Sequence, residues 1–171
     1  MAATEALAPA LPARLDQLTR TVLQAACDRD LTIVTAESCT GGLLASLLTD
    51  VPGCSHAFDR GFVVYTDEAK QALLGVAPRL LEQHGAVSAA AAKAMAEGAL
   101  ARSQAQIAIS VTGYAESPLG CEGEPGLVYL ACVRHGAPPA VRRERLGDIG
   151  RAAVRLACLE IALELLQEAV G

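Results

Sequence analysis

Four short runs of the chain are apolar and rich in β-branched residues: "LTIVTA" (31–36), "GFVVYT" (61–66), "QIAISVT" (106–112) and "LVYLACVR" (127–134). A strand that is apolar at nearly every position has no side fit for water, so it must be covered on both faces. In 106–112, Ile107, Ile109 and Val111 share one face and small residues the other, which predicts a strand with helices packed close. Stretches of helical periodicity lie between the runs. Leu15, Leu18, Val22 and Ala26 predict a first helix ending near Asp30, and "LLASLLTD" a second, broken by Pro52 and Gly53. "DEAKQALLG" is ended by Gly75, and Pro78 begins a short helix that stops at Gly85. Ser88 is the expected N-cap of a long alanine-rich helix. The fourth run turns at His135-Gly136 into "AVRRERLG", and a last helix runs from about Arg151 to Ala169, with Val154, Cys158, Ile161 and Leu165 on one face. Strands alternating with helices, then a hairpin, predict a single α/β domain over 1–171: a three-layer α/β/α sandwich with a mixed sheet. Residues 1–12 are expected to be a loose extension, and 113–126, with four glycines and two prolines, an irregular loop.

Composition narrows the class. With 52% hydrophobic and 19% charged residues the 171-residue chain is expected to fold compactly, and with 3% aromatic residues and no Trp its core must be aliphatic. A net charge of −5 argues against nucleic acid as a partner held by broad electrostatics. The six cysteines show neither CxxC pairs nor zinc spacing, so buried reduced thiols and no metal are expected. No signal-like start and no apolar run of about 20 residues are present, so a cytoplasmic location without membrane contact is expected. The alanine-rich surface suits a homo-oligomer. Only Lys70 and Lys93 among fourteen basic residues are lysines. Unlike arginine, a buried lysine can become a neutral base.

In open α/β sheets ligands bind beyond the carboxyl ends of strands. Three segments end strands with polar residues: "AESCTGG", "YTDEAK" and "VTGYAES". If those strands are neighbours, Ser38, Tyr65, Lys70 and Thr112 line one crevice. Ser38 sits at a strand-to-helix turn, where free N–H groups from Cys39 to Gly42 could hold the oxyanion made when a hydroxyl attacks a carbonyl. Gly41 and Gly42 would let a substrate approach the backbone. The alternative is that Ser38 or Thr40 caps the helix. A serine nucleophile needs a base. His56, His84 and His135 look like surface residues, whereas Lys70, one turn into its helix, could serve if desolvated, or be an ordinary solvated lysine. Arg151 and Arg155, one turn apart, could clamp a phosphate or carboxylate, or pair with neighbouring acids.

Taken together, "TAESCTGG", "PGCSHAFDRGFVVYTDEAKQALLGV", "GAVS", "AMAEGA" and "VTGYA" resemble the CinA C-terminal domain family, the competence/damage-inducible proteins, whose members include nicotinamide mononucleotide deamidases. The resemblance runs from about Leu15 to the last helix. It implies a cofactor-free amidohydrolase acting on a small-molecule pyridine nucleotide within pyridine nucleotide recycling. Ser38 is then the nucleophile, with Tyr65 and Lys70 in the catalytic set. Thr112 and Arg151 orient substrate, and Glu37, Cys39, Thr40, Gly41, Gly42 and Gly113 complete the binding set. Cys39 attacking in place of Ser38, or a catalytically weak relative that binds a nucleotide or protein, are the competing readings.

Three departures from the family pattern bear on substrate. The usual "TGIAGP" is here "TGYAES", with Glu116 and Ser117; the following loop carries Glu124; and "GDIGR" puts two extra residues between Asp148 and Arg151. Asp67 also stands where Asn is usual. Glu116 and Glu124 are expected to bring carboxylates towards a pocket that would hold a phosphate, and so to weaken phosphate binding.

Overall fold

The computed structural model describes residues 11–116 and 123–171; the expected loose stretch at 1–10 and the loop segment 117–122, with Ser117, lie outside the described residues. In chain order the elements are α1 (Ala13–Asp28), β1 (Ile33–Glu37), α2 (Leu43–Leu48), β2 (Phe58–Val63), α3 (Asp67–Leu74), α4 (Pro78–His84), α5 (Ala89–Ala101), β3 (Ile107–Gly113), β4 (Leu127–Arg134), β5 (Ala140–Arg145) and α6 (Arg151–Val170). The strands form one sheet in the order β2-β1-β3-β4-β5. β1 is parallel to both β2 and β3, while β4 is antiparallel to β3 and to β5, so the sheet is mixed as expected. Leu11, inside the expected loose extension, instead packs against the core, and Pro12 stands at the N-cap of α1.

Alternation along the strands sorts two cores onto the two faces. Ile107, Ile109 and Val111, with Val128, Leu130 and Cys132, face α1, α2 and α6. Ala108, Ala131 and Val133 face the other way, onto the alanines and Met95 of α5 and onto Leu74 and Leu81. The small residues on this face let α5 lie close: the Ser110 hydroxyl donates to the Ala92 carbonyl at 2.6 Å. Ser88 caps α5 as expected, accepting from the Ala91 N–H at 3.1 Å.

One strand differs from expectation. β2 covers Phe58–Val63 rather than 61–66, and Arg60, Gly61 and Val63 are exposed. Among the described residues it pairs with β1 alone, at one of the sheet's two edges, and none of its residues is fully buried. Its apolar composition was therefore no sign of burial on both sides.

Register positions the site. Glu37 lies level with Val63 on one side and Val111 on the other. The residues that follow these three positions, Val64, Ser38 and Thr112, therefore lie side by side at the carboxyl ends of their strands, where β1 and β2 stop and β3 runs on through Thr112 to Gly113.

Gly98 marks where α5 crosses α3. A Cβ built there would lie 2.1 Å from the Leu74 carbonyl oxygen. Alanine for glycine inside a helix ordinarily gains up to about 1 kcal/mol. Here Gly98→Ala is expected to lose about 1–3 kcal/mol through overpacking, read as a lower urea midpoint at unchanged slope.

Candidate active site

The turn after β1 is built around Glu37. Its side chain is fully buried, and its carboxylate accepts from the N–H groups of Gly42 (3.1 Å), Leu44 (3.0 Å) and Ala45 (2.8 Å), and from the Thr35 hydroxyl (3.4 Å). Those N–H groups belong to the first turn of α2, which has no backbone partners to offer them. Glu37 thus does the capping that the sequence left to Ser38 or Thr40. Gly41 and Gly42, with φ of 61° and 94°, turn the chain into α2 through a left-handed conformation that other residues adopt only with strain.

Ser38 is consequently free of capping duty. Its N–H donates to the Val111 carbonyl at 3.0 Å, which extends the β1–β3 ladder by one bond. Its hydroxyl lies 3.4 Å from the Lys70 Nζ, which also donates to the Tyr65 carbonyl at 3.3 Å. Lys70 reaches there because Thr66 caps α3, accepting from the Ala69 N–H at 3.1 Å. A side chain one turn into a helix leans back towards its N-terminus. Lys70 is 1% exposed, and this burial lowers its pKa below the ordinary lysine value, against the opposing charges of Asp67, Cys39 and Glu68. Lys93, by contrast, is an exposed helix lysine paired with Glu97.

Ser38 and Lys70 open into a cavity of about 340 Å³, lined also by Cys39, Tyr65, Asp67, Thr112, Gly113, Tyr114, Glu116 and Arg151, with Ala86 and Val87 from the loop before α5. That volume falls in the range of small-molecule sites. The Thr112 hydroxyl donates to the Ala86 carbonyl at 2.8 Å and so ties that loop to β3. Ala86 and Val87 belong to the "GAVS" motif but carry no reactive group, and only the fold shows that they line the site.

Of the residues expected at the site, Ser38, Cys39, Tyr65, Lys70, Thr112, Gly113 and Arg151 line this cavity. Glu37, Thr40, Gly41 and Gly42 do not: they form the turn beneath it. Among the described residues the Gly41 N–H is used by the Ser38 carbonyl and the Gly42 N–H by Glu37, which leaves the N–H groups of Cys39 and Thr40 without an acceptor. The three histidines are exposed and away from the cavity.

The two arginines part company. Arg151 lines the cavity, where it pairs with Glu116; that bond, then one to Tyr65, holds its pKa above the ordinary arginine value. Arg155 points beneath the turn and donates to the Thr40 carbonyl at 2.8 Å. They do not clamp one ligand together. Glu124 pairs with Arg145 at 3.3 Å and does not line the cavity, so of the two expected acids only Glu116 faces it.

Cys39 and Cys158 form a buried thiol pair beside Ser38. The hydrogen bond between them lowers the Cys39 pKa and raises that of Cys158. The five described cysteines are free thiols. Among the described residues no cluster of His, Cys, Asp and Glu could hold a metal ion, and no helix is long and apolar enough to cross a membrane.

Comparison with known proteins gives one consistent answer. The family described as CinA C-terminal domain matches residues 15–170. The nicotinamide-nucleotide amidohydrolase PncC of Escherichia coli is 44% identical over 154 residues, which is 89% of this chain and 92% of that protein. A competence-damage inducible protein of Caldicellulosiruptor bescii is 54% identical over 104 residues, 60% of this chain. The match spans only 25% of that longer relative. The crystal structure of the competence/damage inducible protein CihA from Agrobacterium tumefaciens superposes with a TM-score of 0.89 at 43% identity, covering 94% of this chain and 97% of that one.

The turn depends on one carboxylate. Glu37→Ala strands three helix N–H groups in a buried site and is expected to cost about 3 kcal/mol or more. Hydrogen exchange should show the Gly42, Leu44 and Ala45 amides losing protection ahead of the rest of the fold.

Proposed function

The chain belongs to the CinA C-terminal domain family, and we propose that it hydrolyses the carboxamide of nicotinamide mononucleotide to give nicotinate mononucleotide and ammonia. The observation that carries this reading is the contact between a fully buried lysine and a serine hydroxyl at the floor of a cavity. The amidohydrolase named among the relatives supports the substrate class.

In this mechanism Ser38 Oγ attacks the carboxamide carbon while the neutral Lys70 amine takes the hydroxyl proton. Tyr65 flanks the pair. The oxyanion forms beside the free N–H group of Cys39, which lines the cavity next to Ser38. Lys70 then returns the proton to the amide nitrogen, the C–N bond breaks and ammonia leaves. Water, deprotonated by the same amine, hydrolyses the ester and restores Ser38. Thr112, Gly113 and Arg151 orient the nucleotide. No step needs a metal or cofactor.

A second reading is that Cys39 attacks, since the residue lines the cavity and its pKa is lowered. Its sulfur, however, is engaged with Cys158 in the core, whereas the Ser38 hydroxyl already meets a base. Cys39→Ser is expected to keep most of the activity; loss to the level of Ser38→Ala would favour the thiol.

Ammonia release from nicotinamide mononucleotide is the direct assay. Ser38→Ala should lower kcat by at least about a thousandfold, and Lys70→Met by roughly 10² to 10⁴. Lys70→Arg should not rescue, because arginine keeps its proton. No ammonia above the Ser38→Ala background from the wild-type protein would overturn the assignment.

The pH profile carries the sign. Catalysis requires unprotonated Lys70, so kcat/KM should rise with pH through the Lys70 pKa and level off above it. Since burial lowers that pKa, the rise should come below the ordinary lysine value of about 10.4. A limb that rises only at that ordinary value would mean that Lys70 is not the base.

A further inference from the structure

The charged groups that line the described cavity are Asp67, Lys70, Glu116 and Arg151. With Lys70 neutral for catalysis, two carboxylates face one guanidinium, and Glu116 occupies that guanidinium directly. Both partners are about half exposed, at 45% for Arg151 and 55% for Glu116, so the pair sits at the mouth rather than in the core. Among the described residues Arg155 offers no substitute, because it is turned beneath the floor and held by the Thr40 carbonyl.

We infer that Glu116 is a specificity-determining residue: it competes with a substrate's phosphate for Arg151, and so narrows the site's preference for the nicotinamide nucleotide over the riboside that lacks a phosphate. This rests on the amidase reading of the site. A pyridinium ring is cationic, so the ring and amide of such a substrate are compatible with two nearby carboxylates. A phosphate dianion is not. To reach Arg151 it must displace Glu116 and then remain close to the released carboxylate. An exposed ion pair is weak, so displacement is feasible but carries a penalty. The nucleotide is thus accepted less well than the same cavity would accept it with a neutral residue at this position.

The test measures binding on a Ser38→Ala background by calorimetry, so that turnover plays no part. The ligands are nicotinamide mononucleotide and nicotinamide riboside, and the variants are Glu116→Gln, Arg151→Ala and the two combined. Glu116→Gln should shift the nucleotide-to-riboside affinity ratio about three- to tenfold towards the nucleotide. In the Arg151→Ala background the same change should shift it much less, because the residue competed for is gone. An unchanged ratio, a shift towards the riboside, or an equal shift with and without Arg151 overturns the inference. So does failure of the nucleotide to bind either the Ser38→Ala protein or its Glu116→Gln variant. If the nucleotide binds with the expected shift but the wild-type protein releases no ammonia from it, the amidase reading fails while the role of Glu116 stands.

Discussion

A single buried carboxylate organises the candidate site. A helix that starts directly after a strand presents several N–H groups with nowhere to donate, and some side chain must take them. Here Glu37, the last residue of β1, turns back and takes three. The two glycines with positive φ make that return path possible. Because Glu37 does this, the next residue along, Ser38, has its hydroxyl unclaimed by the backbone at the carboxyl end of β1. Had Ser38 capped α2 itself, its oxygen would be an acceptor held against the backbone, and Lys70 would face an occupied partner.

The second arm of the site comes from the neighbouring strand by the same logic. β2 ends, Thr66 caps α3, and the first turn of that helix carries Lys70 back over the Tyr65 carbonyl to Ser38. The carboxyl ends of β2, β1 and β3 lie together and bring Lys70, Ser38 and Thr112 to one end of the sheet. The change to antiparallel pairing after β3 then returns the chain through β4 and β5, so that α6 opens with Arg151 at the same cavity. The two residues by which the segment before α6 exceeds the family pattern do not prevent this.

Much of this was legible in the sequence because the signals were local. Apolar runs, the glycine after α3, the serine before α5 and the periodicity of α6 each depend on a few adjacent residues. The strand alternation of 106–112 is enough to show two unlike faces with helices packed close, though not which helix takes which face. What the sequence hid depended on partners far along the chain. The apolar run at 61–66 looked buried, yet β2 lies at an edge whose position is set by which strands pair. Arg151 and Arg155 lie one turn apart on one helix, and nothing local says that Glu116 takes one and the Thr40 carbonyl the other. Ser38 and Thr40 are the caps that local sequence offers for α2, because short polar side chains are the usual caps. A glutamate reaching back from the strand is recognisable only once the turn is folded.

The burial of Lys70 also divides the chain's lysine chemistry in two. The chain has two lysines, one with its Nζ in the cavity and the other, Lys93, on the outer face of α5. At neutral pH an ordinary exposed lysine is an ammonium ion and a poor nucleophile. A desolvated amine holds a larger fraction of its lone pairs free. Small aldehydes able to enter the cavity, which under reductive conditions give stable adducts with amines and not with hydroxyls, should therefore alkylate Lys70 in preference to Lys93, while bulky reagents reach only Lys93 of the two lysines. The site thereby carries its own covalent label, and a bound ligand would protect one lysine of the pair and leave the other as an internal standard.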